Sequence, residues 1–215
     1  MIAGRRAIIL EPETVMGDDK SSRLIIVSGP SGAGKSTVVN RLMKECDLPL
    51  AKSVSATTRA PRDAEVDGQD YHFISPEEFK RLQEEDAFLE SKEVFGRGHW
   101  YGTLRNEVAS GLKQGKWVIL EIDVQGALAV IGRNEFSPIT LFIHPGGMEE
   151  LERRLRDRGS ETEESIMARL ETAGSEMRYR HQYQYVIINN SVDVAVSEIC
   201  QILREQKEKQ PCSKS

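Results

Sequence analysis

The sequence predicts one α/β folding unit, a parallel sheet flanked by helices, carrying a small α+β insertion and a helical hairpin. Three observations carry that prediction. Short β-branched apolar runs alternate with stretches of helical period, a glycine-rich loop joins the first run to the first helix, and residues 53–105 turn to a composition rich in Thr, Arg, Asp and Tyr. Unbroken apolar runs mark strands covered on both faces, and alternating β and α elements close into parallel, helix-covered sheets.

Residues 1–20 hold no sustained period and end in Gly17-Asp18-Asp19-Lys20, so they are expected to form a flexible extension. Leu24-Ile25-Ile26-Val27 is the first strand, broken sharply by Ser28-Gly29-Pro30-Ser31-Gly32. Val38, Val39, Leu42 and Met43 then follow a helical period that fades at Asp47-Leu48-Pro49. Inside the insertion, Ser75-Pro76-Glu77-Glu78 starts a helix: Ser75 caps, Pro76 fits the first turn and Glu78 completes a capping box. Trp117–Asp123, Ile139–Ile143 and Tyr185–Ile188 read as further buried strands. Met148, Leu151 and Leu155 mark a helix ended by Gly159, and Ser160 with Glu163 boxes the start of a second helix through Ile166, Leu170, Ala173 and Met177. A last amphipathic helix runs from Val192 to near Glu208, before a flexible tail at 209–215.

The 215 residues suffice for one substantial core with an insertion and fall short of two. At 29% charged and 39% hydrophobic residues the chain is of ordinary globular composition, with no run long enough to span a bilayer. Glu11 and Glu13 interrupt the apolar stretch after Arg5 and Arg6 before a signal-peptide core is reached, so a cytoplasmic location is expected. Cys46, Cys200 and Cys212 form no metal or disulfide pattern, and the four histidines show no ligand or triad spacing. A net charge of −5 argues against a nucleic-acid surface, so any anionic ligand must be held by locally placed cations.

Gly29-Pro30-Ser31-Gly32-Ala33-Gly34-Lys35-Ser36 matches G-x-x-x-x-G-K-[ST] in full, with a strand before it and a helix after it. Backbone N–H groups of such a loop, continued by Thr37 at the helix start, converge on a phosphate. Lys35 would bridge the outer phosphates of a nucleoside triphosphate, and Ser36 would meet Mg²⁺ directly or through water. The motif alone leaves motor, switch, transporter and kinase open.

Further motifs narrow the choice. Ser53-Val54-Ser55-Ala56-Thr57-Thr58-Arg59-Ala60-Pro61-Arg62, Gly68-Gln69-Asp70-Tyr71-His72-Phe73, Phe88-Leu89-Glu90, Trp100-Tyr101-Gly102-Thr103, Glu121-Ile122-Asp123-Val124-Gln125-Gly126 and Arg158-Gly159-Ser160-Glu161-Thr162-Glu163-Glu164-Ser165 stand in an order that resembles the guanylate kinases. The resemblance runs from about residue 22 to 207. It implies an ATP:GMP phosphotransferase built on a P-loop core (21–52, 106–144 and 176–208), a GMP-binding subdomain (53–105) and a lid (145–175).

On that resemblance, Arg59, Arg62, Tyr71 and Tyr101 hold the GMP phosphate, and guanidinium forks and phenols suit its oxygens. Guanine recognition falls to Glu90 with Ser55, Thr103 and Asp123; a carboxylate accepts from both N1–H and the exocyclic amine, a donor pair adenine lacks. Glu121 or Asp123, ending a strand, is the candidate for organising Mg²⁺, with the division of roles open. Arg154 and Arg158, four apart on one helix, and Arg169 on the next belong to the lid that neutralises the transferring phosphoryl group, whereas Arg153 and Arg156 read as a solvated face. Asn189 matches the family position near adenine.

Two stretches depart from the family pattern. Phe95-Gly96-Arg97-Gly98-His99-Trp100-Tyr101 is longer and carries Trp100 where the family has a first tyrosine, and Asn190-Ser191 replaces acidic residues after Asn189. Two rivals remain on the sequence. A P-loop kinase of another phosphorylated acceptor, such as a ribose bisphosphate, would keep Lys35 without needing Ser55 and Glu90. A non-catalytic protein-binding module of the same fold would be expected to have a degraded loop. The partners expected are ATP and GMP, with no nucleic acid and no membrane; the oligomeric state is left open.

Overall fold

The computed structural model describes residues 8–9, 23–94, 98–157 and 162–209. In chain order its first half comprises β1 (Ile8–Ile9), β2 (Leu24–Ser28), α1 (Lys35–Glu45), β3 (Leu50–Lys52), β4 (Ala56–Thr57), β5 (His72–Phe73), α2 (Pro76–Glu84), β6 (Phe88–Val94) and β7 (His99–Leu104). The second half comprises α3 (Arg105–Lys113), β8 (Trp117–Glu121), α4 (Val124–Gly132), β9 (Ile139–His144), α5 (Met148–Asp157), α6 (Glu163–Glu176), a 3-10 turn (Met177–Gln182), β10 (Tyr185–Ile188) and α7 (Val192–Lys209).

The main sheet has the order β1-β10-β9-β2-β8-β3, and every pairing is parallel except that of β1 with β10. Alternation along β2 explains why the sheet is buried on both sides. Ile25 and Val27 face a core shared with Val39 and Leu42 of α1 and Ile199 and Leu203 of α7. Leu24 and Ile26 face the opposite core with Val124 and Val130 of α4, Val108 of α3 and Phe142. The connection from β2 runs past β8 to β3 whereas that from β9 runs the other way to β10, so the order reverses between β2 and β9, and open α/β sheets bind ligands beyond the carboxyl ends of such strands.

A second sheet, β5-β4-β7-β6, packs Ala56, Phe79 and Phe88 beneath α2, with Phe79 stacked on Phe88 at 4.5 Å. Trp100, the residue that departs from the family pattern, joins this small core 6.0 Å from Phe79. Ser75 caps α2 as expected, accepting from the Glu78 N–H at 3.1 Å. The Glu78 carboxylate turns to Arg81 instead of completing the box. Leu151, Leu155, Ile166 and Ala173 seal α5 against α6.

Other expectations are corrected by the coordinates. Ile8–Ile9, placed in the flexible extension, pair with Val186 and Tyr185 at the sheet edge. The cap of α6 is Thr162, whose side chain accepts from Ser165, and Gly159 and Ser160 lie outside the described residues. The inserted Phe95-Gly96-Arg97 and the tail 210–215 also lie outside them. Among the described residues, no helix is long and apolar enough to cross a membrane.

Candidate active site

The loop Gly29–Ser36 begins where β2 ends. Gly29 has φ +135°, and a Cβ there would lie 2.3 Å from the Ile143 carbonyl oxygen, so only glycine lets the loop cross β9 this closely. Gly29→Ala is expected to cost at least about 2 kcal/mol of stability, read as a lowered urea midpoint. At the other end Gly34, at φ +88°, precedes α1, which begins with no side-chain cap and no acidic residue in its first turn. The helix therefore presents unpaired N–H groups and an uncompensated positive end to whatever fills the loop.

Lys35 folds back over the loop, its Nζ donating to the carbonyls of Gly29 at 2.7 Å and Pro30 at 3.0 Å. Burial pushes its pKa down, opposed by the charges of Glu176, Glu121 and Asp123. Ser36 donates its hydroxyl to Glu121, whose second oxygen takes Lys52 Nζ at 2.7 Å; the Glu121 side chain is 10% exposed. A hydroxyl and a carboxylate already in contact, at the start of an anion-binding helix, fit Mg²⁺, a hard cation that needs one or two protein oxygens beside phosphates and water. Among the described residues no group of three or more His, Cys, Asp or Glu side chains could hold a metal ion.

Across the end of β8 lies a cavity bordered by Ser55, Tyr71, Glu90, Tyr101, Glu121 and Asp123. Glu90 and Thr103 are register partners on β6 and β7, and the Thr103 hydroxyl donates to Glu90 Oε1 at 2.6 Å. The second oxygen lies where a Cβ on Gly126 would approach to 2.9 Å, so the glycine leaves that oxygen room. Burial raises the pKa of Glu90, a rise opposed by the Thr103 bond. Asp123 caps α4, accepting from Gly126 N–H at 2.7 Å.

Arg59 stands behind Tyr71 and Tyr101, two of the residues that line the cavity. Its Nε is 3.1 Å from the Tyr101 hydroxyl, its guanidinium lies 5.6 Å from the Tyr71 ring centroid, and Tyr71 meets Tyr101 edge-on at 5.7 Å. Arg62 is exposed to solvent beside it. Both terminal nitrogens of Arg59 grip Glu65 at 2.8 Å, and Glu65 also accepts the Arg62 N–H. The Arg59 bonds, aided by the Arg62 N–H, hold the Glu65 carboxyl down at about 2. A carboxyl held that low stabilises the fold at pH above about 4.5, and the contribution is lost as pH falls toward about 2. Urea melts across that range should show Glu65→Gln with a shallower acid-induced loss than the unaltered chain. Parallel curves would contradict the pairing.

The helical hairpin meets the loop from the other side. Arg154 donates to the Asn189 carbonyl at 2.5 Å and to Glu150 at 2.7 Å, and approaches the Ala33 carbonyl at 3.5 Å. Asn189, 2% exposed, donates from Nδ2 to the same Ala33 carbonyl at 2.8 Å. Arg169 is half-buried on α6. Arg158 lies outside the described residues. Arg153 and Arg156 pair with Glu150, Asp157, Glu152 and Glu163 on the exposed face, as a solvated surface should.

Sequence reasoning passed over Glu65, Lys52 and Glu176. The last ends α6, accepts the Ser31 backbone N–H and is pushed up in pKa by burial, with its Oε2 unpartnered among the described residues. No local pattern marks any of the three, since each takes its meaning from a partner distant in the chain or from a loop turn.

A parallel sheet flanked by helices, with a glycine-rich loop at its centre and a second small sheet presenting a carboxylate to an adjacent cavity, places the chain among the α/β proteins. Comparison with known proteins is specific. The guanylate kinase family model matches residues 21–206. A guanylate kinase of Rhodopirellula baltica is 63% identical over 193 residues, covering 90% of this chain and 92% of that protein. One from Caldanaerobacter subterraneus is 49% identical, covering 89% and 91%. The crystal structure of guanylate kinase from Anaplasma phagocytophilum superposes with a TM-score of 0.69 at 35% identity, over 90% of this chain and 89% of that one. The chain belongs to the guanylate kinase family.

Proposed function

We propose that this chain transfers the γ-phosphoryl group of MgATP to GMP or dGMP, giving ADP and the nucleoside diphosphate. The observation that carries the reading is the shared wall of the two sites. Glu121 touches Ser36 of the phosphate loop and also borders the cavity lined by Glu90 and by Tyr101, whose hydroxyl meets Arg59. Family membership supports the same reading over a ribose-bisphosphate kinase, and the intact Gly29–Ser36 motif opposes a non-catalytic binding module.

In this reading residues 21–52, 106–144 and 176–208 form the donor core, 53–105 the GMP-binding part and 145–175 the lid. Loop N–H groups from Gly29 to Thr37 and the Lys35 amine hold the donor phosphates, with Asn189 toward the adenine. Arg59, Arg62, Tyr71 and Tyr101 take the acceptor phosphate, which requires the Arg59 fork to exchange Glu65 for phosphate oxygens. Glu90, Ser55, Thr103 and Asp123 read guanine. Arg154, Arg158 and Arg169 close over the donor and exclude water, which would otherwise compete as acceptor. The GMP phosphate oxygen is anionic near neutral pH, so no general base is required, and the side chains contribute alignment and charge stabilisation. Mg²⁺, held by Ser36 and Glu121 directly or through water, would neutralise charge across the donor phosphates. ATP and GMP being cytoplasmic metabolites, the activity is placed in the cytoplasm.

An ADP-release assay with ATP and a panel of GMP, dGMP, AMP, CMP and ribose bisphosphate tests the reading. Turnover confined to the two guanine nucleotides is expected. Equal rates on AMP, CMP and GMP would overturn the role of Glu90, and turnover of the ribose bisphosphate alone would overturn the acceptor class.

A further inference from the structure

The charged side chains lining the acceptor cavity are unbalanced. Glu90, Glu121 and Asp123 are carboxylates, and Lys92 is the one cation among the described residues that line it. A cavity of that composition repels a dianion unless the cation is placed where the dianion's charge sits. Lys92 lies on β6 two residues beyond Glu90, so both side chains rise from the same face of the small sheet. The register sorts that face by position. Glu90 stands opposite Thr103, at the end where the base-reading groups collect, and Lys92 stands opposite Tyr101, whose hydroxyl meets Arg59. By register Lys92 is thus nearer than Glu90 to Tyr101 and Arg59, while its ammonium rests on Asp123.

The ammonium group is poised and not consumed. It donates to Asp123 Oδ2 at 3.0 Å, between side chains 42% and 39% exposed, a bond that occupies one of its three N–H donors. An ion pair this open contributes little stability and exchanges readily with a stronger anion. The Lys92 charge also acts on Glu176, the carboxylate that faces Lys35 from the end of α6. Glu121, which lines the same cavity, touches Ser36, so the cavity borders the donor loop on that side.

Resting on the acceptor reading given above, we infer that Lys92 is a phosphate-binding residue of the acceptor site, donating to the nucleoside monophosphate on the side that faces the donor loop. Arg59 and the tyrosines hold the far side of that phosphate. Lys92 supplies the countercharge that lets a dianion settle among three carboxylates, and Asp123 parks the ammonium until the substrate arrives.

The test compares Lys92→Met and Lys92→Arg with the unaltered chain, using calorimetry with GMP and with guanosine, which keeps the base edge and lacks the phosphate. ADP release by the unaltered chain with GMP is measured first; its absence overturns the acceptor reading itself. Given turnover, Lys92→Met is expected to weaken GMP about tenfold, with guanosine binding and the KM for ATP unchanged. It should also make the KM for GMP less sensitive to salt. Lys92→Arg should restore most of the affinity. Unchanged GMP binding would overturn the assignment. Equal weakening of GMP and guanosine would also overturn it, assigning Lys92 to pocket shape through Asp123. Thermal midpoints establish that each variant is folded, and Lys92→Gln carries the same comparison if the methionine variant does not fold.

Discussion

Lys35→Ala is expected to lower the turnover number by about a thousandfold while leaving the chain folded. The Lys35 amine is drawn over the loop by the Gly29 and Pro30 carbonyls, in the field of Glu121, Asp123 and Glu176. In that low-dielectric position a positive charge aimed at the transferring group is worth far more than in water, and it needs no reorganisation at the moment of transfer. The same burial means that the charge costs stability when the loop is empty, as the lowered pKa of Lys35 records. Its removal should therefore barely move the thermal midpoint. Steady-state kcat together with a melting curve checks both halves, and a variant retaining more than about a tenth of the turnover would contradict the role.

Glu90→Gln is expected to raise the KM for GMP about a hundredfold, near 3 kcal/mol, with the KM for ATP unchanged. The carboxylate offers acceptors to both guanine donors, whereas the amide turns a donor toward one of them and leaves two donors facing each other. Thr103 still has an oxygen to donate to in the variant, so the local fold is retained. Burial raises the pKa of Glu90 in the folded chain, so the ionised form opposes folding at pH above that value, and the glutamine variant should melt no earlier than the unaltered protein. Acceptor binding by the unaltered chain should weaken as pH falls through that raised value, because protonation removes an acceptor. Guanosine binding followed against pH isolates the effect from titration of the nucleotide's phosphate, and the glutamine variant should show no such trend.

Much of the architecture was legible because it is written in short-range pattern. The Leu24–Val27 run, the complete Gly29–Ser36 motif and the Ser75-Pro76 cap each announce their element within a few residues. The four central strands could be placed because an unbroken apolar run has few other uses in a soluble chain. Failures came where local signals were duplicated or short. Ser160 and Thr162 both precede acidic residues and each offers a plausible cap, and α6 uses the second. The strand Leu50–Lys52 follows a proline and ends in a charge, and Ile8–Ile9 is only two residues long, so neither sustains a period.

The site divides along the same line. Residues within motifs lie near one another: Ser36 on Glu121, Lys35 in the field of Glu121 and Asp123, and Glu90 on Thr103. Glu65, Glu176 and Lys92 were invisible because a charged residue in a polar stretch has no distinguishing pattern until the fold supplies its neighbour. The Arg59–Glu65 fork forms only once the loop after β4 turns back on itself, and the Lys92–Asp123 pair only once β6 and β8 are assembled. Asn189 carries both kinds of information: its strand-end position was readable, and its hold on the Ala33 carbonyl of the loop was not.

The most direct measurement is a crystal structure of the full chain with GMP and a non-hydrolysable ATP analogue bound together. The account predicts the guanine edge on Glu90, the monophosphate between Arg59 and Tyr101, and the donor's terminal phosphate within the Gly29–Ser36 loop beside Lys35. A monophosphate seated away from Glu90 and Arg59, or a triphosphate outside that loop, would contradict it.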